Sequence, residues 1–72
     1  MNAELSSSPE SQRLEALIRH NVGWQVDDLH VVLFDRRLVL EGHAKCAFAR
    51  RLAQDEASRL TGLPVENRMA VN

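Results

Sequence analysis

The chain has one cysteine, Cys46, among its 72 residues, so it cannot form a disulfide within itself. Disulfides are rare in reducing compartments, and this cysteine usage fits such a compartment. The first residues lack the cationic start and apolar core of a secretory signal, and no apolar run approaches the roughly 20 residues of a membrane span. The sequence therefore predicts a cytoplasmic protein.

Aromatic residues are also scarce, because the chain has one tryptophan, two phenylalanines and no tyrosine. The core must then consist of leucine, valine, isoleucine and alanine, and Trp24 is expected to cover its open end. Such a core leaves no evident cavity for a large cofactor, so we expect none. A chain of this length hides only about 60% of its unfolded surface, which predicts one domain of marginal stability.

Neither sign of charge is in excess. Nine basic and ten acidic residues give a formal net charge of −1. Nucleic-acid binding without sequence preference needs a broad positive field, which this composition does not provide. Recognition of single-stranded RNA relies on stacked aromatics or a glycine-rich clamping loop, and the chain lacks both. Nucleic acid is therefore not an expected partner, and RNA binding is the last function that we consider.

What the chain does have is a hairpin pattern around the polar turn Asp35-Arg36-Arg37. Alternate positions on both sides of this turn are apolar, at Leu29, Val31, Leu33, Leu38 and Leu40, and Gly42 continues the alternation. A period of two on either side of a turn predicts a β-hairpin with one apolar face. On the opposite face, pairing about the turn places Val32 across from Val39 and Asp28 across from His43.

Two helices flank the hairpin. Ser8 is a suitable N-cap for the first helix, Pro9 fits its first position, and Gly23 can end it. The apolar stripe of this helix is Leu14, Leu17 and Ile18. A second helix is predicted over residues 47–60, with its apolar positions at Ala49, Leu52, Ala53, Ala57 and Leu60. A last strand follows over residues 65–71.

The order helix, strand, strand, helix, strand predicts an α+β fold in which both helices pack on one face of a three-stranded sheet. The other face of that sheet is then open. Residues 1–7 are predicted to be a disordered tail, and residues 8–72 form the domain.

The spacing of these positions resembles that of the BON domain, a small bacterial module, over residues 8–72. Beyond the hairpin, the resemblance rests on Arg50, Ala53, Ala57, Gly62, Leu63, Val65, Asn67, Met69 and Val71. Arg36 stands where the family has a hairpin glycine, so either this arginine takes a positive φ or the turn differs. Cys46 replaces a capping serine and is a poor cap. The link through Pro64 into the last strand is one residue shorter than is usual in the family.

The resemblance implies a non-catalytic binding module. BON domains are proposed to contact phospholipid membranes or to mediate protein association, and they commonly occur in envelope proteins. A single copy without an export signal departs from that setting, which puts an envelope role for this chain in doubt.

For the residues that could carry catalysis or bind a metal, we expect structural roles. The possible metal ligands are His20, His30, His43 and Cys46, whereas a structural metal site needs four well-placed ligands. His30 and His43 are expected to pair with acidic residues across the strands. The chain offers no nucleophile–base pair and no phosphate-binding loop, so we expect neither a metal site nor enzyme activity.

Two candidate binding surfaces remain. The open sheet face is predicted to expose Val32, Phe34 and Val39, and apolar clusters of this kind mark protein interfaces. We expect self-association there, because burying that face stabilises a small core; another protein is the alternative partner, or the tail around Leu5 could cover the face. The candidate contacts to an anion, on a phospholipid surface or an acidic protein, are Arg36, Arg37, Arg50 and Arg51.

Overall fold

The computed structural model describes residues 9–71, so the predicted tail over residues 1–7 and the predicted Ser8 cap lie outside the described residues. Within this range, no helix combines the length and the apolar character that crossing a bilayer requires.

The predicted α+β fold is confirmed, with two helices on one face of a mixed sheet. The elements are α1 (Pro9–Val22), a 3₁₀ turn (Gly23–Gln25), β1 (Val26–Phe34), β2 (Arg37–Ala44), α2 (Ala47–Thr61), β3 (Val65–Asn67) and β4 (Ala70–Val71). The central strand is β2, which pairs antiparallel with β1 and parallel with β3 and β4. Leu38 lies opposite Val65 and Ala44 opposite Val71, so β3 and β4 keep one register and are two parts of the predicted last strand.

The predicted hairpin register is confirmed near the turn and wrong at its far end. Val32 lies opposite Val39, as expected, but His43 lies opposite Asp27 and not opposite Asp28. A β-bulge between Asp27 and His30 causes this shift, and Asp28 adopts a positive φ of 54° within it. Aspartate tolerates the left-handed region better than most residues, which makes this position suitable for a bulge.

Gly42 lies across from the bulge and makes it possible. Its φ is 143°, and a Cβ atom built there would lie 2.8 Å from the carbonyl oxygen of Asp27 and 2.9 Å from that of Asp28. The two strands can approach this closely only because the residue has no side chain.

The hairpin turn uses positive φ at both central residues, 53° at Asp35 and 61° at Arg36, as a type I′ turn requires. Arg36 therefore takes the conformation that favours glycine. For a residue with a side chain this conformation costs about 1–2 kcal/mol.

The core lies between the sheet and the helices. Its buried apolar residues are Ile18, Val22, Val26, Leu29, Val31, Leu38, Leu40, Ala44, Ala49, Ala53, Ala57 and Met69. The three alanines follow one another at four-residue steps along α2 and are fully buried, so small side chains bring this helix close to the sheet. Cys46 makes no side-chain cap at its start, as expected, and Gly62 ends it with a φ of 70°.

Two predictions about the core are wrong. Leu17 is 43% exposed, although Leu14 and Ile18 of the predicted stripe do pack on the core; Ser11 and Val22 are the other buried positions of α1. Trp24 is 78% exposed and does not cover the core. Val22 and Val26, which flank the 3₁₀ turn, are buried and close this end of the core with smaller side chains.

Candidate interaction surfaces

The outer edge of β1 is covered by polar side chains of α1. A sheet edge exposes unpaired backbone groups that can pair with another chain. Here three residues at four-residue steps on α1 contact that edge. The contacts are Leu33 N–H to Ser11 Oγ at 3.2 Å, Val31 N–H to Glu15 Oε1 at 3.0 Å, and Arg19 to the carbonyl oxygen of Leu29 at 3.2 Å. The helix therefore occupies three of the backbone groups that a neighbouring strand would otherwise use.

The opposite edge is covered by a clamp between Arg50 and Asn67. The Arg50 guanidinium donates to the carbonyl oxygens of Asn67 at 2.8 Å and Met69 at 3.0 Å. In return, the Asn67 amide donates to the carbonyl oxygen of Arg50 at 2.9 Å and to Gln54 Oε1 at 3.2 Å. The Met69 N–H donates to Asn67 Oδ1 at 3.1 Å. The last strand is thereby tied to α2, and the outer carbonyls of Asn67 and Met69 are occupied.

The open face of the sheet carries the apolar residues expected there. Val32 and Val39 form a cross-strand pair and are both half-buried. Phe34, next to the turn on the same face, is 68% exposed. The helices pack against the other face, so this cluster has no cover among residues 9–71.

Charges of both signs lie beside this cluster, on β2 and the last strand. Arg37 lies 3.7 Å from Glu66, and Arg68 lies 3.7 Å from Glu66 and 3.9 Å from Glu41. All four side chains are about half exposed, so each pair contributes little to stability, about 0–1 kcal/mol. Their alternation leaves the face without net charge from these residues.

The four arginines that the sequence suggested as anion contacts do not gather in one patch. Arg50 is occupied by the clamp on the last strand. Arg37 pairs with Glu66 on the open face, and Arg51 lies 4.0 Å from Asp55 on the outer side of α2. Arg36 makes no salt bridge within the described part of the chain, so the anion hypothesis rests mainly on this residue.

Two of the three histidines, His30 and His43, lie near acidic residues, and Cys46 is exposed. His30 Nδ1 is 3.9 Å from a Glu15 oxygen, and His43 Nδ1 is 3.8 Å from an Asp28 oxygen. The side chains of His43 and Asp28 are thus still close together, although the bulge means that their backbones are not directly opposite each other. Among residues 9–71, no three metal-ligating side chains gather in one place.

Sequence reasoning missed two features at the ends of the hairpin. Trp24 and Phe48, at the end opposite the turn, are 78% and 67% exposed. At the turn, an open cleft of about 360 Å³ lies between residues 35–37 and residues 64–66. The position of Trp24 directly after a helix-ending glycine is the one signal that could have placed this side chain outside.

Glu56 joins the two helices. Its carboxylate accepts hydrogen bonds from Arg59 on its own helix and from the Asn21 amide on α1. The Arg59 bond, with a smaller contribution from Asn21, lowers the pKa of Glu56 below its ordinary 4.5, against the opposing effect of burial. The same bond raises the pKa of Arg59.

Arg50 and Asn67, two of the positions that carry the resemblance to the BON domain, thus contact each other across the last strand. Comparison of the chain with protein-family models, with curated proteins and with solved structures found no match.

Proposed function

We propose that this chain is a non-catalytic interaction module of the BON type that associates with a second copy of itself through the open sheet face. The contact residues are Val32, Phe34 and Val39. The observation that carries the proposal is an apolar cluster, with Phe34 exposed and Val32 and Val39 half-buried, on the face of the sheet opposite the helices. Exposed apolar clusters with polar borders mark association surfaces.

The partly covered edges of the sheet support association through the face. Partners that add a strand need free backbone groups along an edge. On β1 those groups are bonded to α1, and on the last strand the carbonyls of Asn67 and Met69 are bonded to Arg50. Side-chain packing on the open face is then the more accessible mode of contact.

The charges beside the cluster favour a second copy as the partner. A two-fold interface brings the same patch of both copies together, so it must be complementary to itself. Arg37 and Arg68 of one copy can face Glu41 and Glu66 of the other, because the patch holds two charges of each sign. A strongly basic or acidic patch would repel its own copy.

The test is the solution mass across a concentration series, measured by light scattering at low and high salt. The wild type is expected to gain mass as its concentration rises, and this gain persists at high salt, since apolar burial holds the open-face contact together. Val32→Lys is expected to have a lower mass than the wild type at each concentration, because it places a charge at the centre of that contact. Leu17→Lys is the matched control, since Leu17 is an exposed apolar residue on α1, away from the face.

Two results would contradict the proposal. One is a wild-type mass that stays monomeric at every concentration. The other is a Val32→Lys mass equal to that of the wild type, with both proteins folded by circular dichroism.

Peripheral binding to an anionic phospholipid surface is the second candidate function. It is favoured by Arg36, which lies at an exposed turn and makes no salt bridge within residues 9–71. Each basic residue near an anionic membrane contributes about 1 kcal/mol, so the binding would be weak and sensitive to salt. Co-sedimentation with phosphatidylserine vesicles at low salt tests it, and Arg36→Gln is expected to reduce the bound fraction. Equal pelleting with and without vesicles rejects it.

A further inference from the structure

All three aromatic side chains of this protein lie on its surface. Trp24 is 78% exposed, and Phe34 and Phe48 are almost as accessible. Each such ring could bury about 150–250 Å² in a core, and this core is small. Aromatic residues placed outside are typical anchors of protein interfaces. Phe34 belongs to the open face, whereas Trp24 and Phe48 do not.

Trp24 and Phe48 share one end of the molecule. The Lys45 N–H donates to the carbonyl oxygen of Gln25 at 2.9 Å, which joins the 3₁₀ turn to the start of α2. Val71, also exposed, lies opposite Ala44 at the same end of the sheet. Trp24 therefore projects from an end that carries further exposed apolar side chains.

The cleft lies at the other end of the hairpin. Its walls are Asp35, Arg36 and Arg37 of the turn and residues 64–66 of the last strand. The volume of about 360 Å³ is near the lower limit of ligand pockets, which suits one large side chain. Pro64 and Val65 offer an apolar surface to such a group. The two arginines can place a guanidinium over an aromatic ring.

We propose that Trp24 of one copy inserts into the turn cleft of the next copy, so that the chains associate head to tail. The nine residues of β1 separate the two ends by about 26 Å, so one chain cannot fill its own cleft. Because donor and acceptor are different surfaces, each copy can bind one neighbour at either end. This contact does not use Val32 or Val39, whereas Arg37 and Glu66 border both the cleft and the open face.

The cleft holds Asp35 and Glu66 as well as Arg36 and Arg37, so its own charges balance. Charge complementarity between the two ends therefore rests on one pair of residues. Asp28 lies at the Trp24 end, its side chain is 79% exposed, and its ion-pair contact in the described structure is with His43. Arg36 borders the cleft and makes no salt bridge within residues 9–71. Docking would bring this carboxylate and this guanidinium toward each other. An interaction of Arg36 with another molecule would then offset the cost of its positive φ.

The first experiment uses Trp24 as its own reporter, because it is the single tryptophan of the chain. In the wild type, the emission maximum is expected to shift to shorter wavelength as the concentration rises, since the indole leaves water. Arg36→Glu is expected to keep the emission of the dilute protein at every concentration. Arg13→Glu, at an exposed arginine on α1, is the matched control and is expected to shift like the wild type.

A mixing experiment then tests whether donor and acceptor lie at different ends. Trp24→Ala keeps an intact cleft, whereas Arg36→Glu keeps an intact tryptophan. Each variant alone is expected to form no head-to-tail contact. Mixed in equal amounts they are expected to form one-to-one pairs, and the emission of the Arg36→Glu protein shifts although its own concentration is unchanged.

Val32→Lys separates this proposal from the open-face dimer. The emission shift is expected to persist in Val32→Lys, even though the open-face contact is lost. The head-to-tail proposal is overturned by a wild-type emission that does not depend on concentration, by a full shift in Arg36→Glu, by a mixture without a shift, or by loss of the shift in Val32→Lys. Circular dichroism of each variant verifies that it is folded.

Discussion

Gly42 is the residue on which the shape of the hairpin depends most directly. A side chain there would meet the carbonyl oxygens of Asp27 and Asp28 at under 3 Å, and neither backbone atom can move without losing the bulge. We expect Gly42→Ala to lower the free energy of unfolding by about 2 kcal/mol or more, through strain and overpacking. Urea denaturation followed by circular dichroism measures this change.

Gly23→Ala is the control for that substitution. Gly23 also has a positive φ, 63°, but a Cβ atom there would meet nothing within 4 Å. We expect Gly23→Ala to lower the free energy of unfolding by about 1 kcal/mol, from the left-handed conformation alone. If both variants lose the same free energy of unfolding, the close approach of the strands at the bulge does not add to the cost of a side chain at Gly42.

Glu56 makes the stability of the helix pair depend on pH. Its pKa in the folded protein is lower than the ordinary 4.5, so its hydrogen bonds stabilise the fold fully above that value. The stabilisation is lost as the pH falls through the folded pKa, because the carboxyl becomes protonated. Glu56→Gln is expected to be less stable than the wild type at pH 7 by about 1 kcal/mol, and the difference should shrink as the pH falls through the folded pKa of Glu56.

Urea titrations of both proteins between pH 3 and pH 7 give this difference. Asp55→Asn, on the exposed side of the same helix, is expected to follow the wild type. A constant difference between Glu56→Gln and the wild type over the whole pH range would contradict the role of the Glu56 charge.

At the scale of elements, the clamp decides how the last strand is held. Lysine has one ammonium group and cannot reproduce the two hydrogen bonds that the Arg50 guanidinium makes to the carbonyls of Asn67 and Met69. We expect Arg50→Lys to reduce stability by about 1–2 kcal/mol. Arg51→Lys, at the neighbouring and exposed position, is expected to change stability by less than about 0.5 kcal/mol.

Thermal unfolding followed by circular dichroism compares the two arginine variants. Amide exchange at Met69 adds a local readout, since its N–H belongs to the clamp. Its exchange should accelerate in Arg50→Lys and stay unchanged in Arg51→Lys. Equal behaviour of the two variants would mean that the clamp does not hold the strand.

The elements themselves could be predicted from the sequence, but their contacts could not. Alternation in residues 29–42 gave the correct strands and the pairing near the turn. The bulge was missed because the alternation was followed only from Leu29 onward, although Val26 and Leu29, three residues apart, are both buried and break the period of two. On α1, Leu14 and Ile18 pack on the core as predicted, whereas the contacts of Ser11 and Glu15 with the β1 edge could not be foreseen from polar side chains.

At the scale of the whole molecule, stability and association are coupled. A partner that binds only the folded state raises the unfolding midpoint as its concentration rises. We expect the thermal midpoint of the wild type to increase with protein concentration. In Val32→Lys the increase is expected to be smaller, because the open-face contact is lost. Scanning calorimetry over a hundredfold concentration range measures the midpoints of both proteins. An equal rise of the midpoint with concentration in the two proteins would argue against the open-face contact.

The candidate surfaces were only partly predictable from the sequence. The positions of Val32, Phe34 and Val39 on the open face follow from strand alternation alone. The exposure of Trp24 and the cleft beside Pro64 depend on how the ends of separate elements meet, which no local pattern encodes. Arg50 looked like a surface charge because its acceptors are backbone carbonyls nearly twenty residues away.

The covered edge of β1 also bears on how the chain folds during synthesis. The helix that covers β1 is translated before β1, so this edge can be protected as soon as the hairpin forms. The inner edge of β2 must wait for residues 65–71, which follow the whole of α2. Until then β2 offers unpaired backbone groups to other nascent chains.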